Sequence, residues 1–135
     1  WRLAIKPGRP IALGRVGEAA FIGLPGNPVA AMVTFMVIAR PVILMLMGAA
    51  ETAAPRYPVT ADFEYKKKLG RREWVRAILL ETAGAGLFVQ KFRSSGAGIL
   101  TSMVAADGLV ELPEDIESVS PGDVVQFLPF NEVSG

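Results

Sequence analysis

The stretch that most constrains the fold is Phe21 to Pro28, followed by an apolar run from Val29 to Leu46. It predicts a strand end, a tight turn and then a helix. Gly26 allows the sharp turn, Asn27 is a favoured N-cap, and Pro28 suits the first helical position because its missing N–H is not needed there. A helix N-terminus presents unpaired N–H groups, so the turn predicts either an anion-binding loop or a plain connection. Turn chemistry alone favours the plain connection.

The apolar run from Val29 to Leu46 is long enough to raise the alternative of a membrane span. Arg40 at its centre opposes that, because a central arginine costs about 2.5–3.5 kcal/mol on insertion scales. Pro41 removes the hydrogen bond to Val37 and predicts a bend or break there. We therefore predict a helix buried between a sheet and neighbouring subunits, starting at position 27 or 28, with Gly48 as its C′ residue.

Cysteine and histidine are both absent from the 135 residues, which excludes thiol nucleophiles, imidazole bases, disulfides and Cys/His metal sites. The lack of cysteine fits a cytosolic protein, which we expect here. The net charge is only +1, but the charges are uneven. Residues 1–54 carry five basic and two acidic side chains. Residues 55–93 carry nine basic and four acidic side chains, and residues 94–135 carry seven acidic side chains and no basic ones. The cations are thus concentrated upstream, where an anionic ligand would need them.

Short apolar segments before the helix predict strands that, with it, form an α/β module. They are residues 1–5, 11–13 and 18–22, with a turn predicted at 14–17. Residues 49–58 (AAETAAPRYP) are small and proline-rich and predict a linker. We therefore predict two modules, at residues 1–52 and 55–135.

The pattern after the linker changes to period two and predicts a mostly-β module resembling a small barrel. The predicted strands are residues 63–68, 73–81, 87–92, 109–112 and 124–128, with a short helix at 99–105. The connections at residues 69–72 and 83–86 contain glycine, as hairpin connections commonly do. Lys66, Lys67, Lys68, Arg71 and Arg72 could form a nucleic-acid patch, but a charged hairpin tip is the better interpretation because no nucleic-acid motif accompanies them.

Several motifs in this order resemble the C-terminal part of the molybdopterin molybdenumtransferase family, the MoeA and gephyrin E-domain type. They are KPGRP at residues 6–10, LPGNPVAA at 24–31, LGRREWVR at 69–76, GILTSM at 98–103, ADGL at 106–109 and PGDVV at 121–125. The PGNP loop is the more specific of these motifs, and the resemblance spans nearly the whole chain.

The resemblance implies a remnant of a doubly wound molybdopterin-binding domain followed by a C-terminal β-barrel-like domain. It implies that the full-length protein inserts molybdate into adenylylated molybdopterin and releases AMP with help from Mg²⁺. It also implies a cytoplasmic homodimer, with a molybdopterin-adenylylating protein as a possible partner and no nucleic acid or membrane. Because the chain starts at Trp1, we expect a fragment with little or no activity of its own. A non-catalytic scaffold module of the same family is the alternative.

The resemblance also implies an anion-binding site in the first module. Its loop would be Pro25, Gly26, Asn27 and Pro28. Lys6 and Arg2 would supply the cations beside it; solvated strand-end charges are the alternative for both.

In the second module, Arg76 matches a family arginine that is implied to reach the active site across a dimer interface. A snorkelling side chain at the barrel rim is the alternative. The family serine of this region aligns with Ala97, so Ser94 or Ser95 would have to supply the hydroxyl. No catalytic or metal-binding residue is assigned, since the acids before residue 55 are only Glu18 and Glu51, in no catalytic motif.

Overall fold

The computed structural model describes residues 5–6, 12–24, 26, 28–82, 84, 86–92 and 106–131. It divides the chain into two compact units, Trp1–Ala54 and Pro55–Gly135. The first unit contains a β-hairpin and a helical segment, and the second contains a β-barrel. The division lies inside the proline-rich segment of the sequence.

The first unit begins with three short strands. They are β1 (Ile5–Lys6), β2 (Ala12–Val16) and β3 (Ala19–Gly23). β2 and β3 pair antiparallel around a two-residue turn, whose first residue, Gly17, has a φ of 61°. A positive φ at that position suits a tight hairpin. The predicted turn at 14–17 is therefore wrong in its bounds: residues 14–16 belong to β2, and the turn is Gly17 and Glu18. The doubly wound arrangement of this unit stays a prediction.

A helical segment follows the hairpin. Its parts are α1 (Pro28–Thr34), a π-helical turn (Phe35–Ala39) and α2 (Arg40–Leu46). The start at Pro28 confirms the predicted helix start. At the other end, the Ala49 N–H donates to the Leu44 carbonyl at 2.9 Å, and the Gly48 N–H donates to the Met45 carbonyl at 3.0 Å. These two bonds form a Schellman motif, and Gly48, with a φ of 82°, is its C′ residue as predicted.

The π-helical turn lies immediately before Pro41. The Arg40 N–H donates to the Phe35 carbonyl, five residues back, instead of the usual four. Pro41 has no N–H to give to Val37, and its ring crowds that carbonyl. The wider turn is a known way for a helix to accommodate such a disturbance. The sequence thus predicted correctly that the regular helical hydrogen bonding is interrupted near Pro41. The bend of the helix axis stays a prediction.

Burial along the helical segment is uneven. Ala30, Val33, Met36 and Ala39 are buried, but none of the seven described residues of α2 is. Large apolar side chains at its C-terminal end are exposed, with Leu46 at 65% and Met47 at 76%. By length and composition the segment could cross a membrane, a test that core helices of soluble proteins also pass. The end of the helix therefore presents apolar surface to solvent.

We expect residues 1–135, expressed alone, to self-associate, because burying this apolar surface is favourable. Sedimentation velocity over a range of concentrations measures it. Replacing Leu46 and Met47 together by Lys should shift the protein toward monomer. Ala50→Lys, which adds charge at an exposed position outside the helix, should not. A wild-type chain that stays monomeric at micromolar concentration contradicts the prediction.

The second unit contains seven described strands. They are β4 (Tyr57–Ala61), β5 (Tyr65–Lys66), β6 (Arg72–Thr82), β7 (Gly86–Lys91), β8 (Gly108–Leu112), β9 (Ser118–Val119) and β10 (Val124–Pro129). Five of them form a sheet in the order β6, β7, β4, β10, β8, and β8 pairs back with β6. β4 runs parallel to β7, and the other neighbours are antiparallel. This closed barrel confirms the predicted barrel-like domain.

Some boundaries in this unit were predicted wrongly. Tyr57 and Pro58, assigned to the linker, lie in β4, where Pro58 is opposite Gln126. The proline-rich composition hid a strand that is specified by its partners in the barrel. The strand predicted at 63–68 is only the two residues of β5, paired with β9, which the sequence did not reveal. The helix predicted at 99–105 lies outside the described residues.

The barrel core is made of side chains that alternate along the strands. Val75 and Ala77 on β6 point inward with Val110 and Leu112 on β8. The buried cluster also includes Val59, Ala61, Phe63, Val89, Val119, Val125 and Phe127. This period-two burial leaves Arg76 on the outer face.

Gly108 is required where β8 begins. A Cβ at this position would lie 2.4 Å from the Leu128 carbonyl oxygen and 2.6 Å from Cζ of Phe127. We expect Gly108→Ala to lower the free energy of unfolding by at least about 1–3 kcal/mol, the usual cost of overpacking. Urea denaturation measures this. Gly14→Ala is the matched control, since a Cβ there meets no atom within 4 Å. Equal stability of the two variants would contradict the prediction.

Candidate functional site

The loop between β3 and α1 is only partly described. β3 ends at Gly23, Gly26 forms a bend, and α1 begins at Pro28. Pro25, Asn27 and Arg2 lie outside the described residues, and Lys6 is described only as part of β1. The predicted strand–turn–helix order is therefore present, while the anion site proposed for it stays a prediction.

Arg76 is the sequence-predicted site residue for which the structure gives a side-chain contact. It lies half-buried on the outer face of β6, opposite Leu109 of β8. Its guanidinium carbon is 5.8 Å from the centroid of the Phe92 ring, within the range of a cation–π interaction. The Phe92 N–H donates to the Arg76 carbonyl at 2.9 Å. Ser94 and Ser95, which follow Phe92 closely, lie outside the described residues.

Phe92, one member of this pair, also lines a cavity of about 750 Å³. It is lined by Asp62, Phe63, Glu64, Ile78, Gln90, Lys91 and Phe92. Its size is in the range of small-molecule sites, and its lining mixes aromatic rings with charged groups. The Gln90 amide donates to the Asp62 carboxylate at 2.9 Å, which orients that acid. The cavity could hold a ligand with both planar and charged parts.

Next to the cavity, Tyr65 connects a cation to a buried acid. The Lys91 ammonium lies 4.9 Å from the centroid of the Tyr65 ring. The Tyr65 hydroxyl donates to Glu73 at 2.7 Å, and Nε of Arg71 donates to the same carboxylate at 3.0 Å. Burial, and then the hydrogen bond to Glu73, raise the pKa of Tyr65 to about 12. Glu73 is only 1% exposed, so these two donors compensate a charge that would otherwise be costly to bury.

A second buried acid, Glu111, lies on β8. Arg56 contacts it with two nitrogens, at 2.8 and 3.1 Å, and the Trp74 indole donates to it at 3.1 Å. Arg72 approaches Glu111 at 3.4 Å and forms a two-bond ion pair with the exposed Glu114. The hydrogen bond from Arg72 is the main reason that the pKa of Glu114 falls to about 2. These cations therefore stabilise the barrel.

The basic cluster at residues 66–72 is largely engaged within the protein. Lys67 is buried, and its ammonium donates to the carbonyls of Lys68 and Ile116 at 2.8 and 2.9 Å. Arg71 and Arg72 are held by acids. Only Lys66 and Lys68 of the cluster are exposed. This arrangement favours the interpretation of the cluster as a structural hairpin tip.

No group of three or more acidic side chains is close enough to hold a metal ion in the part of the chain that the structure describes. Histidine and cysteine are absent from the sequence.

The barrel and its position in the chain correspond to a known domain. The family profile of the MoeA C-terminal region (domain IV) matches residues 58–130, which is the barrel itself. The chain therefore belongs to the MoeA family.

Relatives extend this similarity beyond the barrel. The molybdopterin molybdenumtransferase of Haemophilus influenzae is 34% identical over all of this chain and 34% of its own length. Molybdopterin molybdenumtransferase 2 of Mycobacterium tuberculosis is 34% identical over 93% of this chain and 30% of its own. The crystal structure of the molybdopterin biosynthesis MoeA protein from Pyrococcus horikosii superposes with a TM-score of 0.77 at 27% identity, covering 96% of this chain and 31% of that one. The chain thus spans about a third of the relatives' length.

Sequence reasoning missed the neighbours that give Arg76 its context. Phe92 and Lys91 were assigned only to a strand, and Asp62 to no element. The sequence signal for this contact was the predicted connection between the strands that became β6 and β7. Their antiparallel register brings Phe92 beside Arg76. Glu73 and Glu111, acids inside apolar strands, were a similar signal for buried ion pairs.

The Tyr65–Glu73 bond provides a test of this network. We expect Tyr65→Phe to lower the free energy of unfolding by about 1–3 kcal/mol at neutral pH, because Glu73 then remains buried with one donor fewer. The wild type should also lose stability from about pH 10 to 12, since the unfolded phenol releases its proton near 10 and the folded one near 12. The variant should lack that component. Urea melts followed by circular dichroism measure both, and indistinguishable pH profiles would contradict the assignment.

Proposed function

We propose that the full-length protein is a molybdopterin molybdenumtransferase. It would insert molybdate into adenylylated molybdopterin and release AMP. The observation that carries the proposal is the 34% identity over the whole chain to an enzyme of that name. A cavity of about 750 Å³, lined by the Phe92 ring that Arg76 contacts, supports it, because substrates of this class combine a planar ring system with anionic groups.

In this proposal the chain binds and orients the substrate. Arg76 presents a planar guanidinium, which suits phosphate or another oxyanion better than an ammonium does. The N-terminus of α1, with Lys6 and Arg2, would form a second anion contact in the first unit. Pre-placed cations of this kind lower the barrier by stabilising charge that develops on the leaving phosphate. No step in this proposal is assigned to Mg²⁺.

The remaining expectations belong to the same proposal. A homodimer would cover the exposed apolar end of the helix and bring Arg76 to the partner's substrate. The engagement of Lys67, Arg71 and Arg72 within the barrel supports the absence of a nucleic-acid role. We also propose a cytoplasmic location with no membrane, and a transient encounter with the protein that adenylylates molybdopterin.

A non-catalytic scaffold derived from the same family is the second candidate. The two differ in turnover by the full-length protein. Molybdate-dependent release of AMP from adenylylated molybdopterin supports the enzyme. Binding of adenylylated molybdopterin without AMP release, under conditions in which a known family enzyme turns over, supports the scaffold.

The first-unit anion site is tested by comparing two lysines. In the full-length protein, Lys6→Ala should weaken molybdate or nucleotide binding roughly ten-fold or more, since a charge-assisted contact is worth about 1.5–3 kcal/mol. Lys66→Ala is the control, because Lys66 is exposed on the barrel and an exposed charge is screened by salt over about 8–10 Å. Calorimetry at two salt concentrations measures both. Equal, small effects would mean that Lys6 is a surface charge and the PGNP loop a structural turn.

A further inference from the structure

The cavity of about 750 Å³ in the second unit is lined by more acidic than basic side chains. Asp62 and Glu64 line it together with one cation, Lys91, and the amide of Gln90. Both acids are exposed, and neither forms an ion pair with another residue in the part of the chain that the structure describes. The two buried acids of the barrel are, by contrast, paired with arginines. The cavity therefore presents carboxylates that can accept hydrogen bonds from a ligand.

Two contacts orient the polar groups of the cavity. Nε2 of Gln90 donates to Oδ2 of Asp62 at 2.9 Å, which leaves Oδ1 and a second lone pair of Oδ2 for other donors. The Lys91 ammonium lies 4.9 Å from the centroid of the Tyr65 ring, and it has three N–H groups to donate. The remaining lining residues are apolar: Phe63, Ile78 and Phe92. The cavity thus combines an oriented acceptor, a donor and aromatic surface.

This combination matches one edge of a 2-amino-4-oxopyrimidine ring, the ring that a pterin contains. That edge has an exocyclic amino group and an adjacent ring N–H, which both donate, followed by an oxo group, which accepts. A carboxylate accepts from two adjacent N–H groups through two parallel hydrogen bonds, as it does from arginine. An ammonium donates to the oxo group. A phosphate group fits the cavity poorly, because two carboxylates and one ammonium give a net repulsion of an anion.

We propose that this cavity binds the pterin ring of the substrate. The Asp62 carboxylate accepts from the amino group and the ring N–H, Glu64 is a second acceptor, and Lys91 donates to the oxo group. The inference rests on the proposed function for the identity of the ring, because guanine has the same edge. It does not depend on the anion contacts proposed for the substrate.

Two ligands that differ at one group test this proposal. Pterin has an amino group at position 2, whereas lumazine has an oxo group there, which a carboxylate repels. Isothermal titration calorimetry with the full-length protein measures the dissociation constant of each ligand. We expect the wild type to bind pterin about ten-fold or more tightly than lumazine. Asp62→Asn should lower that ratio to about two-fold or less, because an amide has no charge and can donate to the oxo group.

Two further variants localise the effect. Lys91→Met should weaken the binding of both ligands by a similar factor, because both have the oxo group at position 4. Glu81→Gln is the matched control, since Glu81 is an exposed acid at the end of β6 that does not line the cavity. It should leave both dissociation constants unchanged. Circular dichroism checks folding, and Glu64→Gln replaces Asp62→Asn if that variant does not fold.

The outcomes separate this inference from the proposed function. Equal binding of pterin and lumazine by the wild type, or no binding of pterin at millimolar concentration, overturns the inference even if the protein releases AMP. A preference that is the same in the wild type and in Asp62→Asn also overturns it, because the ring would then be recognised elsewhere. Guanosine bound more tightly than pterin overturns the assignment to a pterin. A preference that Asp62→Asn removes, in a protein that releases no AMP, supports the inference and contradicts only the proposed function.

Discussion

The pairing of β6 with β8 is the constraint on which the barrel depends. Five register pairs, from Glu73 opposite Leu112 to Ala77 opposite Gly108, join the long strand to the last neighbour of an otherwise open sheet. Closure leaves these two strands without an open edge between them and places Val75 and Val110 on the same side of the core. On the other side of β8, the pairing with β10 requires that Gly108 have no side chain, since Leu128 and Phe127 lie too close for a Cβ.

The same junction explains how the basic residues of the barrel are used. Glu73 and Glu111 are buried at or next to it, and each needs donors because an uncompensated buried carboxylate is destabilising. Arg71 forms an ion pair with Glu73, and Arg56 and Arg72 form ion pairs with Glu111. Arg76, which lies with Arg72 on β6, contacts the Phe92 ring. Several basic residues of the barrel are thus held by acids within the fold.

The sequence predicted the features that are determined by neighbouring residues, and it missed features that depend on pairing between distant segments. The helix start at Pro28 and the C′ residue Gly48 depend on a few neighbouring residues, and both were predicted correctly. The long strand β6 was found from its alternation. β4 and β9 were missed because they exist only through pairing with distant strands, and Pro58 masked the first of them. For the site, alternation placed Arg76 on its face, but the contact with Phe92 depends on hairpin register and was not predicted.

If Arg76 binds an anion as proposed, the magnitude of one charge-assisted contact limits how much affinity it can contribute. A micromolar dissociation constant corresponds to about 8 kcal/mol, whereas one charge-assisted contact is worth about 1.5–3 kcal/mol. In the proposed function, Arg76 alone would therefore fall short of a micromolar site by several such contacts. The rest would have to come from the PGNP loop with Lys6, from the cavity that Phe92 lines, or from the two-thirds of the relatives' length that this chain does not span. Lys6→Ala and Arg76→Ala would then each remove one contact from a sum rather than the whole site.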